Sequence, residues 1–269
     1  MRVSVLASGS SGNATFIQMG ETKLLVDAGI SARRIKNSLA EIGVAIEELQ
    51  GILITHEHRD HINGLVTLTK KYQLPIYSRA NTFRQMYCRD LLADHCCNAI
   101  VDCLAIGDIR IESFSISHDA ADPVGYSLYR QGLKCTVATD LGFVTTGVQK
   151  ALDDSDVVVL EANHDVDLLQ QNPAYPQTLK QRILSNRGHL SNQDAAWALV
   201  KMRKKKHCKV LLAHLSDENN KPDLAYDTIC KIVSKQGCDL IGSMDIKVTK
   251  PDETVSLDDK YNLRSEGVG

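Results

Sequence analysis

The segment Thr55-His56-Glu57-His58-Arg59-Asp60-His61 places three of the chain's nine histidines and two carboxylates in six consecutive positions, directly after the short apolar run 51–54. Imidazole nitrogens and carboxylate oxygens at that density are metal ligands by type. In extended chain alternate residues point to opposite sides, so His56 and His58 project together while Glu57 points away. As the chain bends into a helix, Asp60 and His61 swing toward a second point nearby. One hexapeptide thus offers ligands to two ions, and two-metal hydrolases hold theirs about 3.5–4 Å apart. The alternative is an exposed polar turn with unrelated histidines. So many histidines straight after a buried strand argue against it.

Further ligands are expected in a recurring context, a polar residue just past an apolar strand. His118 follows 109–116, Asp140 follows 136–139, His214 follows 210–213, and Asp27 follows 24–26 and precedes Ala28-Gly29. Each alone reads as an ordinary strand-terminating residue. Together, beside the histidine cluster, they mark strand ends converging on one cleft.

The elements that must position them read as follows. Strands are expected at 3–6, 14–19 and 23–26, with the Ser/Gly stretch 8–12 turning tightly between the first two. A helix over 32–42 stops at Gly43, and 51–55 is a short strand feeding the histidines. Leu65, Leu68, Thr69 and Tyr72 fall at helical spacing. A helix is expected over 81–93, a strand over 109–116, and a hairpin of 124–130 with 133–139 around Gln131-Gly132. Then come a buried strand at 157–160, a helix over 191–202 with Ser191 as its N-cap, a buried strand at 210–213, and a final helix marked by Ala225, Ile229, Ile232 and Val233. Two groups of strands with interspersed helices predict two packed sheets covered by helices. One domain over 1–257 and a flexible tail over 258–269 are expected.

Taken in order, Leu25-Val26-Asp27-Ala28-Gly29, the His56–His61 core, His118, Ala138-Thr139-Asp140-Leu141-Gly142 and His214 resemble the five motifs of the metallo-β-lactamase fold superfamily over nearly the whole chain. The resemblance implies an α/β fold, a four-layer αββα sandwich with the site at one edge of its sheets. It also implies roles: His56, His58 and His118 for a first metal, Asp60, His61 and His214 for a second, Asp140 between them, and Asp27 orienting ligands from behind. Two divalent cations would lower the pKa of a water and stabilise developing charge. Imidazole and carboxylate without thiolate suit zinc, but also manganese or iron.

Bulk properties narrow the partners. Hydrophobic residues at 43%, charged residues at 24% and a net charge of -2 give no global pull toward nucleic acid or an anionic membrane. No run approaches the ~20 apolar residues of a membrane span, and the first residues are too short for an export signal, so a cytoplasmic protein is expected. The eight cysteines form no CxxC pair and read as free thiols. Adjacent Cys96 and Cys97, beside His95, are poor candidates for closing on one ion.

Three features lean toward phosphodiesters. In Gly188-His189-Leu190-Ser191-Asn192, a histidine beside a helix start can grip a phosphate oxygen or protonate a leaving oxygen. In Val159-Leu160-Glu161-Ala162-Asn163-His164, a carboxylate lies just past a buried strand, and Glu161 with His189 resembles motifs of tRNA 3′-processing and RNase J-like nucleases. Third, Lys201, Arg203, Lys204, Lys205, Lys206 and Lys209 form a basic run, read either as helix-end charge or as a contact with nucleic-acid phosphates. Aromatic residues are only 5% of the chain, so no extended base-stacking platform is visible.

With the opening Ala7-Ser8-Gly9-Ser10-Ser11-Gly12-Asn13 and the Glu161–Asp165 segment, the Gly-His-Leu-Ser-Asn motif resembles the bacterial YycJ/WalJ family. That implies 5′-to-3′ DNA exonuclease activity, with His189 steadied by Glu161, Asp60 in the reacting centre, and Ser8, Ser10, Asn13, His164 and Ser191 as candidate substrate contacts. His164 reads equally as a polar surface residue. The interval between Asp140 and His214 is too short for an RNase J-type cap domain. A small-molecule hydrolase acting on a cyclic phosphodiester or thioester, and a metal-dependent sensor without catalysis, are the other readings.

Overall fold

The computed structural model describes residues 1–237 and 244–258. Its strands form two seven-stranded sheets. The first runs β14 (Val255–Asp258), β1 (Arg2–Ala7), β2 (Ala14–Met19), β3 (Thr22–Val26), β4 (Gly51–Leu53), β5 (Ile76–Arg79) and β6 (Cys97–Ile100). The second runs β13 (Met244–Val248), β12 (Cys208–Ala213), β11 (Val157–Glu161), β10 (Leu133–Ala138), β9 (Val124–Arg130), β8 (Ile109–Ser115) and β7 (Cys103–Ile106). Pairing is parallel from β3 to β6 and from β10 to β13.

The pleat sorts each strand between two cores. Val3, Val5, Ile17, Met19, Leu24 and Val26 face inward and meet Tyr126, Leu128, Val157, Val159, Leu211 and Ala213 from the other sheet. Their alternates point outward. Phe16, Leu25 and Ile52 pack beneath Ile35 and Leu39 of α1 (Ala32–Glu41) and Leu65 and Leu68 of α3 (Leu65–Tyr72). Val158, Leu160, Val210 and Leu212 pack beneath Leu199 of α8 (Asn192–Lys201) and Ile229 and Val233 of α9 (Pro222–Lys235). Strands buried on both faces read as unbroken apolar runs, which is why 157–160 and 210–213 show no alternation. Each fully buried Val, Leu or Ile contributes roughly 1.5–3 kcal/mol, so these three layers carry the fold. The four-layer α/β sandwich expected from the resemblance is present.

Two local details tie the layers to the site. Tyr126, fully buried in β9, donates from its hydroxyl to the Ile54 carbonyl across the gap between sheets (2.8 Å), two residues before His56. At Gly29 a Cβ would lie 1.5 Å from the Asp60 carbonyl oxygen, so only glycine lets the segment after β3 press against the histidine loop. The contact is laced by Gly29 N–H to Asn13 O, Asn13 N–H to Asp60 O and Ala28 N–H to His61 O, each 2.8 Å.

Several elements differ from expectation. The helix predicted over 81–93 is broken: α4 (Ala80–Gln85) stops at Met86, and a 3-10 turn follows at Arg89–Leu91. One continuous helix would set Phe83 and Met86 on the face opposite Cys88 and Leu92. The break brings all four into the same outer core. Strands β5, β6, β7, β13 and β14, and the helices α5 (Thr146–Leu152), α6 (Val166–Gln171) and α7 (Gln177–Ile183), had no clear local signal. The turn at Gln131-Gly132 is as expected, with positive φ at both residues (48° and 79°), a type I′ hairpin. Of the stretch expected to be a tail, Asp258 ends β14 against Arg2 of β1, and 259–269 lie outside the described residues. The seven described cysteines are free, Cys238 lying outside the described residues, and Cys96 and Cys97 direct their thiols at the Thr69 and Ala93 carbonyls. No helix of the described residues is long and apolar enough to cross a membrane.

Candidate active site

The strand ends converge as the sequence predicts. His56 and His58 follow β4, and the short helix α2 (Arg59–Ile62) turns Asp60 and His61 toward them. Asp27 follows β3, Asp140 follows β10, Glu161 ends β11 and His214 follows β12. Asp27, Asp140 and His214 all have left-handed backbone, with φ of 61°, 59° and 55°. Such conformations cost non-glycine residues energy and persist where the surrounding fold enforces them. In each case the reversal turns the side chain off the strand end into the common cleft.

Two ligand groups form. His56, His58 and His118 each offer a ring nitrogen, and Asp60, His61 and His214 form a second set, the ligand atoms within each group lying within 4.8 Å of one another. His56 Nε2 lies 3.0 Å from His58 Nδ1, which lies 3.3 Å from His118 Nε2. Asp140 stands between the groups, its Oδ2 3.1 Å from His61 Nε2 and its Oδ1 3.9 Å from His118 Nε2. Glu57 points away, accepting from the Ala121 N–H.

The remaining ring nitrogens are tied from behind. Asp27 Oδ2 accepts from His61 Nδ1 (2.8 Å), and Asp27 Oδ1 accepts from both the Thr55 N–H and hydroxyl. Thr55 Oγ1 also sits 3.0 Å from His56 Nδ1. His118 Nδ1 donates to the Gly188 carbonyl (3.2 Å), and His214 Nδ1 to Glu161 Oε1 (2.9 Å). Each of these four rings therefore presents Nε2 to the cleft, the arrangement metal-bound imidazoles require. Replacing Asp27 with Ala is expected to weaken divalent-metal affinity by roughly 10–100-fold, read by competition with a chelating dye. Unchanged affinity would mean that Asp27 only braces the loop.

The fit to cations rests on two features of these residues. Asp140 Oδ2 and His214 Nε2 are buried without a hydrogen-bond partner among the described residues, which is costly unless a positive charge satisfies them. The field agrees. Burial alone would raise the Asp140 carboxyl, but the facing His214 and His61 outweigh it and hold it well below the usual carboxylate range. Burial would likewise lower His214, yet Asp140, Asp60 and Glu161 push it up to about 10. Without a metal ion, the carboxylates recruit protons to the imidazoles in its place. A further combination, Asp140, Glu161, His189 and His214, also lies within 4.8 Å. Its Nδ1 atoms are already bonded to Glu161, so hydrogen bonding explains it without another ion.

Glu161 is the hub that sequence alone shows only in part. Fully buried, it accepts from His189 Nδ1 (2.8 Å) and His214 Nδ1 through Oε1, and from the Leu141 and Leu190 N–H groups through Oε2. Burial would raise its carboxyl, but His189 and His214 bring it down to about 2. The Glu161–His189 pairing matches expectation, while the coupling to His214, 53 residues away, has no local signal. Burial would lower His189, but Glu161 outweighs it and the net shift is upward.

The candidate substrate contacts fare differently. Ser8 is buried, its hydroxyl accepting from the His214 N–H (2.6 Å). Asn13 bonds Gly9 through both its amide oxygen and nitrogen, and the nitrogen lies 3.1 Å from His61 Nε2. Ser191 caps α8, accepting from the Asp194 N–H (3.1 Å). His164 is only 1% exposed, so its reading as a surface residue is corrected. Its ring makes no hydrogen bond among the described residues, and burial lowers it to about 4. All four are buried, Ser8 and Asn13 on the segment between β1 and β2, and His164 and Ser191 paired to each other by a parallel backbone bridge. Ser10 alone is exposed at the cleft, lining two cavities there.

The basic run is not at the cleft. Lys209 lies near the start of β12 and His214 just past its end, a separation of roughly 17 Å along the strand. Arg203 pairs with Asp154, Lys205 pairs with Asp156 (2.7 Å), and Lys204 Nζ donates to the Val200 carbonyl at the end of α8. Helix-end charge and ion pairing account for these contacts.

A fold of two packed sheets with paired histidine and aspartate groups at one edge defines a metal-centred superfamily. The chain belongs to the beta-lactamase superfamily, whose domain model matches residues 22–214. Within it the chain is 40% identical over 263 residues to exodeoxyribonuclease WalJ of Streptococcus pneumoniae, covering 95% of this chain and 97% of that protein. It is 36% identical over 256 residues to exodeoxyribonuclease YycJ of Bacillus anthracis, covering 93% and 96%. Among solved structures, the metallo-beta-lactamase fold protein YhfI of Bacillus subtilis superposes with a TM-score of 0.69 at 17% identity, covering 95% of this chain and 99% of that one. The likeness to YhfI concerns the fold alone.

Proposed function

We propose that this chain is a cytoplasmic, metal-dependent exodeoxyribonuclease that digests DNA from the 5′ end, with two divalent ions, zinc or manganese or iron, held at the strand ends. The observation that carries the reading is the Glu161–His189 pair set against the ligand cluster in a chain similar, over nearly its full length, to two exodeoxyribonucleases.

In this reading His56, His58 and His118 hold one ion, Asp60, His61 and His214 the other, and Asp140 serves both. When bound, the ions would supply a nucleophile near neutral pH and neutralise charge building on the phosphate. The chain's own residues do the rest. Asp27 and Thr55 fix the rings of His61 and His56 from behind. His189 gives its Nδ1 proton to the bond with Glu161, leaving Nε2 as the ring's other polar atom. Glu161 favours the charged ring, so His189 can hold a phosphate oxygen and protonate the leaving oxygen at Nε2. Because Glu161 also bonds His214, it fixes the distance between the proton donor and the second ligand group.

A substrate panel separates this reading from the alternatives. Protein reconstituted with zinc or manganese should shorten 5′-phosphorylated single-stranded DNA stepwise. Inertness toward every nucleic acid, with efficient cleavage of a thioester or cyclic phosphodiester, would instead establish a small-molecule hydrolase. Metal binding with no turnover on any of them would leave a sensor.

A further inference from the structure

Beside His189 lies a cavity of about 210 Å³ whose walls include Ser10, Tyr175, Leu179, Arg182 and Ile183. Leu179, Arg182 and Ile183 stand at i, i+3 and i+4 of α7 and so share one helix face, while Tyr175 precedes the N-cap Pro176. Tyr175, Leu179 and Ile183 are only partly buried and belong to none of the three cores among the described residues. An apolar face is thus turned toward open space at the reacting centre instead of into the protein. At the rim, Arg182 Nε donates to Asp119 Oδ2 (2.7 Å), and Asp119 Oδ1 lies 3.4 Å from His118 Nε2. Nη2 also pairs with Asp119, but the Arg182 side chain remains 64% exposed, which leaves the Nη1 N–H groups to meet an anion.

We propose that this cavity receives the terminal nucleobase of the DNA strand, with Tyr175 as its stacking face, Leu179 and Ile183 as its apolar wall, and Arg182 as a phosphate contact at the mouth. The proposal rests on the exodeoxyribonuclease reading and deepens it. A flat, apolar body attached to an anion matches what the walls offer. The volume is smaller than the ~300–1,000 Å³ usual for small-molecule sites, giving room for one nucleoside and not for a stacked run. One occupant at a time fits removal of nucleotides singly from an end. Tyr175 supplies locally the aromatic platform that the chain's low aromatic content does not provide at large, and base stacking on such a ring is tolerant of sequence.

The test compares single-stranded DNA carrying a normal terminal nucleotide with the same strand carrying an abasic one. The native chain, loaded with metal, is expected to favour the normal end about tenfold in kcat/KM, the advantage residing in KM. Tyr175→Ala should erase the difference between the two ends, and Tyr175→Phe should retain it. Arg182→Ala should raise KM for both ends by a similar factor, as a phosphate contact would. Equal turnover of normal and abasic ends by the native chain overturns this proposal alone. So does a Tyr175→Ala chain that loses activity on both ends in equal measure, the mark of a merely structural residue. A chain that degrades no DNA overturns the nuclease reading, and this proposal falls with it.

Discussion

Replacing Asp140 with Ala is expected to abolish DNA hydrolysis and to lower bound metal, with turnover falling by about 10⁴-fold or more. The magnitude follows from the role proposed for the ions, since the pKa of water drops from ~15.7 to ~7 only on a bound cation. Asp140 is the carboxylate that lies near both ligand groups, and its Oδ2, 3.1 Å from His61 Nε2, is buried without a hydrogen-bond partner among the described residues. Its loss removes negative charge between His61, His118 and His214, which would then face one another across a cavity. The side chain holds no core together, so the variant should remain folded. Elemental analysis and a single-turnover assay on the same preparation check both halves. A variant that keeps its full metal content and most of its activity would remove Asp140 from the centre.

The second large effect is expected at His189. His189→Ala should cut kcat by roughly 10²–10⁴-fold, the usual worth of a positioned general acid, while metal content stays unchanged. The geometry makes this split specific. His189 Nδ1 is bonded to Glu161 and its ring centroid lies 5.2 Å from those of both His118 and His214, so it borders the ligand cluster without replacing a ligand. A substrate with a more acidic leaving group should recover part of the lost rate, because it needs less help from a proton. Loss of metal together with activity would make His189 a ligand and overturn the role assigned to it.

These expectations show which parts of the site can be read from a one-dimensional string. His56, His58, Asp60 and His61 are legible because one strand-to-helix turn carries them, and periodicity alone says which ones point together. Asp27, Asp140 and His214 are legible because each follows an apolar run, although the left-handed backbone that aims them is invisible until the fold is formed. Thr55 and Asn13 leave no comparable signal. Their hydrogen bonds to Asp27 and His61 depend on contacts 28 and 48 residues apart. Ser8 is farther still, meeting His214 across 206 positions. It could be recognised as part of a Ser/Gly turn, but not as the prop beneath a ligand.

The fold divides along the same line. Strands buried on both faces, such as β11 and β12, stand out by composition. The edge strands β6, β7 and β14 are only four residues long, and they exist because a neighbour's backbone is left to pair with. In α4 local helical pattern and packing disagreed. The outer core required Phe83, Met86, Cys88 and Leu92 on one side, and packing prevailed over the pattern.

Metal titration of chelated protein, followed on one sample by ion content and by degradation of 5′-phosphorylated single-stranded DNA, shows whether hydrolysis depends on a two-ion centre. The stripped chain should be inert, two divalent ions should bind per chain, and exonuclease activity should return as the second ion is taken up. Undiminished DNA degradation by chain shown to be free of metal would contradict that dependence.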